Sequence, residues 1–196
     1  RWAASGTSRP RGVLTRWLMA GVLLWSAAHL LKRVAPGWRS RLGGAGRPLV
    51  ALSIVGSVVL MILGYQQAEG PVWWGRQSGL VGINNLLVLV GFYLIASSQT
   101  GARITRFIRH PQLTAIKLWA DAHLLVNGDL ASLILFGGLL IWAVLAVMLI
   151  NRQEEQPVRE QRPIVWAREI GAFSAAIVIY GLVGYAHGLL GYPVHG

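Results

Sequence analysis

Residues 130–150, LASLILFGGLLIWAVLAVMLI, contain no charged side chain. A bilayer core about 30 Å thick is crossed by roughly 20 mostly apolar residues in an α-helix, so this stretch predicts a membrane-spanning helix. Backbone groups in lipid must be satisfied within their own segment, which favours a helix over isolated strands. The whole chain agrees with this: its 196 residues are 54% hydrophobic and only 13% charged, against about 25% charged in soluble domains.

Four further apolar runs approach the same length, and together they predict five spans at residues 13–31, 48–65, 80–97, 130–150 and 170–192. A sixth predicted span, residues 111–126, is shorter and carries Lys117, Asp121 and His123. We therefore expect an all-α, polytopic membrane bundle of about six helices. It would form a single domain over residues 13–192, between a flexible basic arm at 1–12 and a tail at 193–196.

The formal net charge of +11 is explained by topology. Loops 32–47, 99–110 and 151–168 hold 12 Lys and Arg residues. The other side holds 5 when Arg16, near the start of the first span, is counted with Arg1, Arg9, Arg11 and Arg76. Because cytoplasmic loops carry the excess of Lys and Arg, both termini are expected outside the cytoplasm. Nucleic-acid binding would need a soluble module to present the charge, and the chain contains none, so membrane lipid is the expected partner of the basic loops.

Residues that begin, cap or end helices lie between the predicted spans. Pro111 suits the first turn of a helix. The tripeptide Asn127-Gly128-Asp129 predicts a tight hairpin, in which Gly128 ends one helix in a left-handed conformation and Asp129 caps the next. Cysteine is absent from the chain, which excludes disulfides, thiolate metal sites and cysteine nucleophiles.

Polar side chains inside a membrane are costly, so each one is a functional hypothesis. Lys117 and Asp121 stand four residues apart, where they can pair on one helix, or Lys117 can snorkel to the interface. Asn84 and Asn85 are typical of hydrogen bonds between helices. Imidazole is an axial ligand of haem iron, so the candidate ligands are His29, His123 and His187, with packing against neighbouring helices as the alternative role.

A longer pattern surrounds His123. Arg109-His110-Pro111 is followed by LWADAHLL at residues 118–125 and NGDLAS at residues 127–132. This pattern resembles that of the NnrU family, small bacterial inner-membrane proteins associated with denitrification. The agreement extends from Ala28-His29-Leu30 to Tyr185-Ala186-His187, nearly the whole chain.

The same pattern is similar to that of zeta-carotene isomerase, a haem b membrane enzyme that isomerises a cis double bond. That resemblance implies haem b held by His29 and His123, redox or cis–trans isomerisation chemistry, and a lipophilic polyene as substrate. If the spans alternate, His123 lies about 18 Å from the cytoplasmic side, at 1.5 Å per residue from Pro111, whereas His29 lies near that side. His187 is closer in depth to His123, and His110 to His29, so both remain alternative ligands.

Two further hypotheses remain open. Membrane methyltransferases of the isoprenylcysteine and phospholipid type also carry Arg-His-Pro before a hairpin and a Glu pair after it. That resemblance implies an S-adenosylmethionine site at Arg109, His110, Glu154 and Glu155. The third hypothesis is a non-enzymatic subunit or assembly factor of a larger membrane redox or photosynthetic complex, since small residues on the last helix allow lateral helix contacts.

Overall fold

A computed structural model describes residues 13–155, 163–192 and 194. The predicted arm at 1–12 lies outside these residues, as does the tail at 193–196 except for Val194. The longer helices are α1 (Val13–Val34), α3 (Gly46–Gln67), α4 (Ser78–Thr100), α5 (Pro111–Val126), α7 (Gly138–Gln153) and α8 (Trp166–Leu189). The shorter elements are α2 (Pro36–Arg41), α6 (Leu130–Ser132), the paired strands β1 (Val72–Trp74) and β2 (Gly128–Asp129), 3₁₀ turns at Gly43–Ala45 and Arg103–Arg106, and a π-helical turn at Leu133–Gly137.

The all-α class is confirmed apart from these two short strands. Within the described residues, four helical stretches are long and apolar enough to cross a membrane: Gly43–Gln67, Ser78–Thr100, Leu130–Gln153 and Trp166–Leu189. Large apolar side chains on them are exposed, as shown by Ile141 at 63% and Leu182 at 64%. Soluble monomers rarely expose contiguous apolar patches of this extent, so these faces suit lipid.

The predicted number of about six spans is not confirmed, because α1 and α5 are not among these four stretches. Helix α5 has the predicted bounds but only 16 residues, and α1 carries Arg16 near its start and Lys32 and Arg33 in its last turn. Pro111 begins α5 as predicted.

The hairpin after α5 is only partly as predicted. Asp129 caps the following helix, since its carboxylate accepts a hydrogen bond from the Ser132 amide at 2.9 Å. The prediction of a left-handed Gly128 is wrong, because positive φ angles in the described residues occur at Gly43, Gly101 and Gly191. Gly128 instead belongs to strand β2, with its α-carbon against the Trp74 ring. Glycine is required there for close approach.

The chain forms two compact units. Unit 1 contains the described residues of Arg1–Val72 together with Asp129–Leu135, and unit 2 contains Trp73–Gly128 and the described residues of Phe136–Gly196. Unit 1 is built on close packing of α1 against α3, where Gly64 lies against the backbone of the fully buried Leu18. Side-chain hydrogen bonds join the end of α3 to the segment Asp129–Leu135 of this unit. The Tyr65 hydroxyl is 2.9 Å from the Ser132 hydroxyl, which donates to the Asp129 carboxylate at 2.7 Å.

Unit 2 is built on α4, which packs against both α5 and α8. Gly91 approaches the Ala115 carbonyl of α5, at 3.3 Å from where a Cβ would stand. The buried alanines Ala96, Ala102 and Ala172 join the end of α4 to α8. Small residues at these contacts let the helix backbones approach closely, as is usual in membrane bundles.

The glycine contact in unit 1 gives a direct test. A Cβ at Gly64 would meet the amide nitrogen and Cα of Leu18, which are backbone atoms that cannot rotate away. Gly64→Ala is therefore expected to lower the thermal unfolding midpoint in detergent, since overpacking costs about 1–3 kcal/mol. Gly56→Ala on the same helix is the matched control, because nothing lies within 4 Å of its Cβ position. Equal midpoints for the two variants would contradict the close α1–α3 packing.

Candidate functional site

A cavity in unit 2 lies between α4, α5 and α8 and brings together several of the predicted polar residues. Its volume is about 60 Å³, room for a few water molecules. The polar and aromatic side chains that line it are Asn84, Asn85, Trp119, His123, Tyr180 and His187, and the rest of the wall is mainly apolar. His123 and His187 therefore meet at one site, whereas His29 belongs to unit 1.

The His123 ring is held from two directions. Its Nδ1 lies 2.8 Å from the Trp119 carbonyl oxygen one turn earlier on α5. The Phe136 ring, from the π-helical turn, stacks on the imidazole with centroids 4.6 Å apart and an interplanar angle of 29°. Trp119 meets Phe136 edge-on at 5.0 Å. These contacts fix both the plane and the direction of the imidazole.

The three histidines on α1, α5 and α8 each make the same type of hydrogen bond, from Nδ1 to a carbonyl oxygen one turn earlier. Nδ1 of His29 lies 2.9 Å from the Trp25 carbonyl, and Nδ1 of His187 lies 2.9 Å from the Val183 carbonyl, repeating the geometry of His123. Because a carbonyl oxygen only accepts, Nδ1 must carry the proton in each ring, and in the neutral imidazole Nε2 keeps the lone pair. This is the tautomer in which Nε2 can ligate a metal while the backbone orients the ring.

The asparagine pair connects elements of unit 2, as predicted. In the amide orientation that satisfies its neighbours, Asn84 donates to the Ala122 carbonyl of α5 at 2.8 Å. Asn85 donates to the Val194 carbonyl at 3.1 Å. Both therefore act as hydrogen-bond links at the edge of the cavity.

A second cluster lies at the N-terminal end of α5, the end far from His123. The Arg109 guanidinium donates to the backbone carbonyls of Glu154 at 2.8 Å and Glu155 at 3.1 Å. His110 Nε2 lies 2.8 Å from Asn151 Oδ1. The residues predicted for an S-adenosylmethionine site are thus brought together, but Arg109 binds the carbonyls of the two glutamates and not their carboxylates.

The predicted pair on α5 is not formed. Within the described residues, no ion pair or hydrogen bond joins Lys117 to Asp121, and Asp121 is exposed. No group of three or more His, Cys, Asp or Glu side chains in the described part of the chain could hold a metal ion.

Three contributors to these clusters were missed by the sequence. Phe136 stacks on His123 from the π-helical turn, Tyr180 lines the cavity from α8, and Asn151 lies 2.8 Å from His110 across 41 residues of chain. Trp119 belongs to the motif at residues 118–125, and the motif alone assigns it no role. No signal within one sequence pairs such distant positions, although the motif ending in Ser132 stops just before Phe136.

Comparison with known proteins confirms the resemblance to the NnrU family. The family model described as NnrU protein matches residues 17–194, nearly the whole chain. No curated protein and no solved structure is similar enough to match.

The shared histidine geometry predicts an unusual tautomer. In labelled histidine nitrogen spectra of the protein in membranes at alkaline pH, we expect Nδ1 to carry the proton in His29, His123 and His187. His110 is the internal control, because its Nε2 faces the Asn151 amide oxygen and should carry the proton instead. Single His→Gln variants assign the signals. A proton on Nε2 of His123 or His187 would show that the helix carbonyls do not orient these rings.

Proposed function

Because the chain belongs to the NnrU family, we propose that it is a haem b-binding protein of the bacterial inner membrane. Its chemistry would be electron transfer or cis–trans isomerisation of a lipophilic polyene, in a role linked to denitrification. The observation that carries the proposal is the cavity of unit 2, where two imidazoles present Nε2 lone pairs. Haem would be of the b type, since the chain has no cysteine for covalent attachment.

The donor atoms fit haem iron, whereas the volume does not hold a porphyrin. Two neutral imidazoles are a common axial pair, and the aromatic and apolar wall suits a macrocycle. Sites for organic cofactors measure about 300–1,000 Å³, so a cavity of about 60 Å³ has to widen before the ring can enter. The proposal therefore includes a widened state of this cavity in the loaded protein.

This chain's own residues would position the ligand and exclude water. The Trp119 carbonyl and the Phe136 ring set the orientation of His123, and the Val183 carbonyl does the same for His187. When bound, haem would supply an electron or Lewis acidity to a substrate double bond. Asn84 and Asn85 line the same space and could bind a polar end of the substrate.

The membrane topology of the proposal adds α1 and α5 to the four long apolar stretches, which gives six spans. Helix α5 rises about 24 Å over its 16 residues, most of a hydrocarbon core. The excess of Lys and Arg in loops 32–47, 99–110 and 151–168 supports a periplasmic position for both termini in this topology.

The haem proposal is tested by the absorbance spectrum. Protein purified from haem-replete cells should give a pyridine haemochrome of the b type and a low-spin spectrum from two histidines. A colourless preparation would overturn the proposal. His123→Ala is expected to lose the low-spin spectrum, because this histidine is common to both candidate pairs.

Two further variants separate the pairs. Loss of the spectrum in His187→Ala with retention in His29→Ala would assign His123 and His187, the pair that lines the cavity. The reverse pattern would assign His29 and His123. His110→Ala is the matched control and should keep the haem, since its Nε2 already meets Asn151.

A second candidate function rests on the cluster around Arg109. The contacts of Arg109 and His110 with Asn151, Glu154 and Glu155 bring together the residues that correspond to the cofactor site of membrane methyltransferases. In this version the site would bind S-adenosylmethionine and transfer its methyl group to a lipophilic substrate.

Calorimetric titration with S-adenosylmethionine tests this second function. Binding heat in the unaltered protein, abolished by Arg109→Ala and His110→Ala, would support it. Gln112→Ala is the control, because Gln112 is exposed one residue beyond Pro111 and should leave binding intact. Absence of binding heat in the unaltered protein would remove the methyltransferase hypothesis and leave the haem proposal untouched.

A further inference from the structure

Helix α5 runs antiparallel to α4. Gly91 of α4 lies against Ala115, and Asn84, seven residues earlier, bonds to Ala122, seven residues later. Helix α4 is one of the stretches able to cross a membrane. Because α5 packs along α4, the depth of each α5 residue follows from the α4 residue that lies beside it.

The two charged residues of α5 lie well inside that depth. Lys117 follows Ala115 by two residues, which is level with the middle of α4. Asp121 lies one turn further, about 6 Å nearer the N-terminal end of α4. The half-thickness of a hydrocarbon core is about 15 Å, so a lysine side chain at its middle cannot bring its ammonium group to the headgroups.

Neither charge is neutralised by a neighbour. Asp121 is exposed and Lys117 partly exposed, and within the described residues neither has an ion pair or hydrogen bond. Pairing with each other on α5 would be the weaker of the two possible orders, since an acidic residue stabilises best when it precedes its basic partner by four positions. A carboxylate or ammonium facing lipid at this depth costs about 2.5–3.5 kcal/mol on insertion scales.

We propose that this face of α5, defined by Thr114, Lys117 and Asp121, is the contact surface with a second copy of the same chain. Copies share one orientation in the membrane, so a two-fold axis along its normal places two α5 helices side by side and parallel. Lys117 of each copy then lies one turn from Asp121 of the other. Two reciprocal ion pairs form, and the site is neutral.

Charge complementarity favours a second copy over a foreign partner. The two-fold axis holds identical residues at the same depth, and the long Lys117 side chain spans the one turn to the Asp121 carboxylate of the other copy, so the same chain supplies both partners of each ion pair. A different membrane protein would need its own pair of opposite charges at the same depth and spacing. Lipid offers no group that satisfies both charges within the hydrocarbon core.

The absence of cysteine makes the contact measurable by disulfide cross-linking in native membranes. Thr114→Cys introduces a thiol three residues before Lys117, on the same face, and keeps both charges. Mild oxidation is expected to convert it to a dimer of twice the chain mass. Leu182→Cys is the matched control, because it is 64% exposed on α8 and should remain monomeric.

Charge reversal separates a specific contact from collision. In the Thr114→Cys background, Asp121→Lys places like charges opposite each other and is expected to lower the dimer fraction roughly tenfold or more. Adding Lys117→Asp restores opposite charges and should restore the dimer. Asp121→Asn removes the charge with little change of volume and should also lower the dimer fraction. This variant tests the same ion pair if Asp121→Lys does not fold.

Three results would overturn the proposal: no dimer from Thr114→Cys above the Leu182→Cys control, a dimer insensitive to Asp121→Lys and Asp121→Asn, or cross-linking to a protein of another mass. Dimer formation does not require haem, so its failure is distinguishable from failure of the haem proposal.

Discussion

Hydrocarbon offers no hydrogen bonds, so each polar group of a membrane helix needs a partner within the protein. This constraint accounts for His187 on α8, whose Nδ1 turns back to a carbonyl of the preceding turn, and His29 and His123 repeat the same contact. The same constraint makes the other ring nitrogen chemically useful. Once Nδ1 is engaged, Nε2 is left with a lone pair in the neutral ring, and a ligand or a substrate group can use it.

Close helix packing depends on a second feature, the placement of small residues. Gly64 in unit 1 and Gly91 in unit 2 bring neighbouring backbones together, and the alanines at the end of α4 do the same towards α8. In lipid there is no hydrophobic drive between helices, so van der Waals contact and hydrogen bonds have to hold them. Asn84 illustrates the result, because its amide reaches the Ala122 carbonyl only where α4 and α5 lie close.

The sequence predicted what depends on local composition. Apolar length predicted the helices, and residues 111–126 agree with α5 to the residue. Asp129 was predicted as a cap because capping acts over three residues. Gly128 was predicted wrongly, because its environment is set by the Trp74 ring, 54 positions earlier in the sequence.

The candidate site shows the same division. His123 and His187 were selected by residue type, but their meeting at one cavity depends on how α5 and α8 pack against α4. Hydrophobic periodicity does not show which helices pack against each other. The contact between His110 and Asn151 could not be predicted from the sequence for the same reason. The pairing of Lys117 with Asp121 was expected from their spacing of four residues. Spacing alone does not consider that the basic residue comes first, which is the weaker order for such a pair.

The π-helical turn at Leu133–Gly137 bears on where chemistry takes place. Such turns give up regular α-helical hydrogen bonds, are rare, and occur frequently at functional sites. Here the turn carries Phe136, whose ring stacks on His123 and also meets Trp119. A histidine with only a packing role would not require a stacked aromatic ring that is positioned by an irregular turn. Since His187 and the two asparagines open onto the same cavity, the irregular backbone, the oriented imidazole and the polar wall all favour unit 2 as the place where a ligand binds.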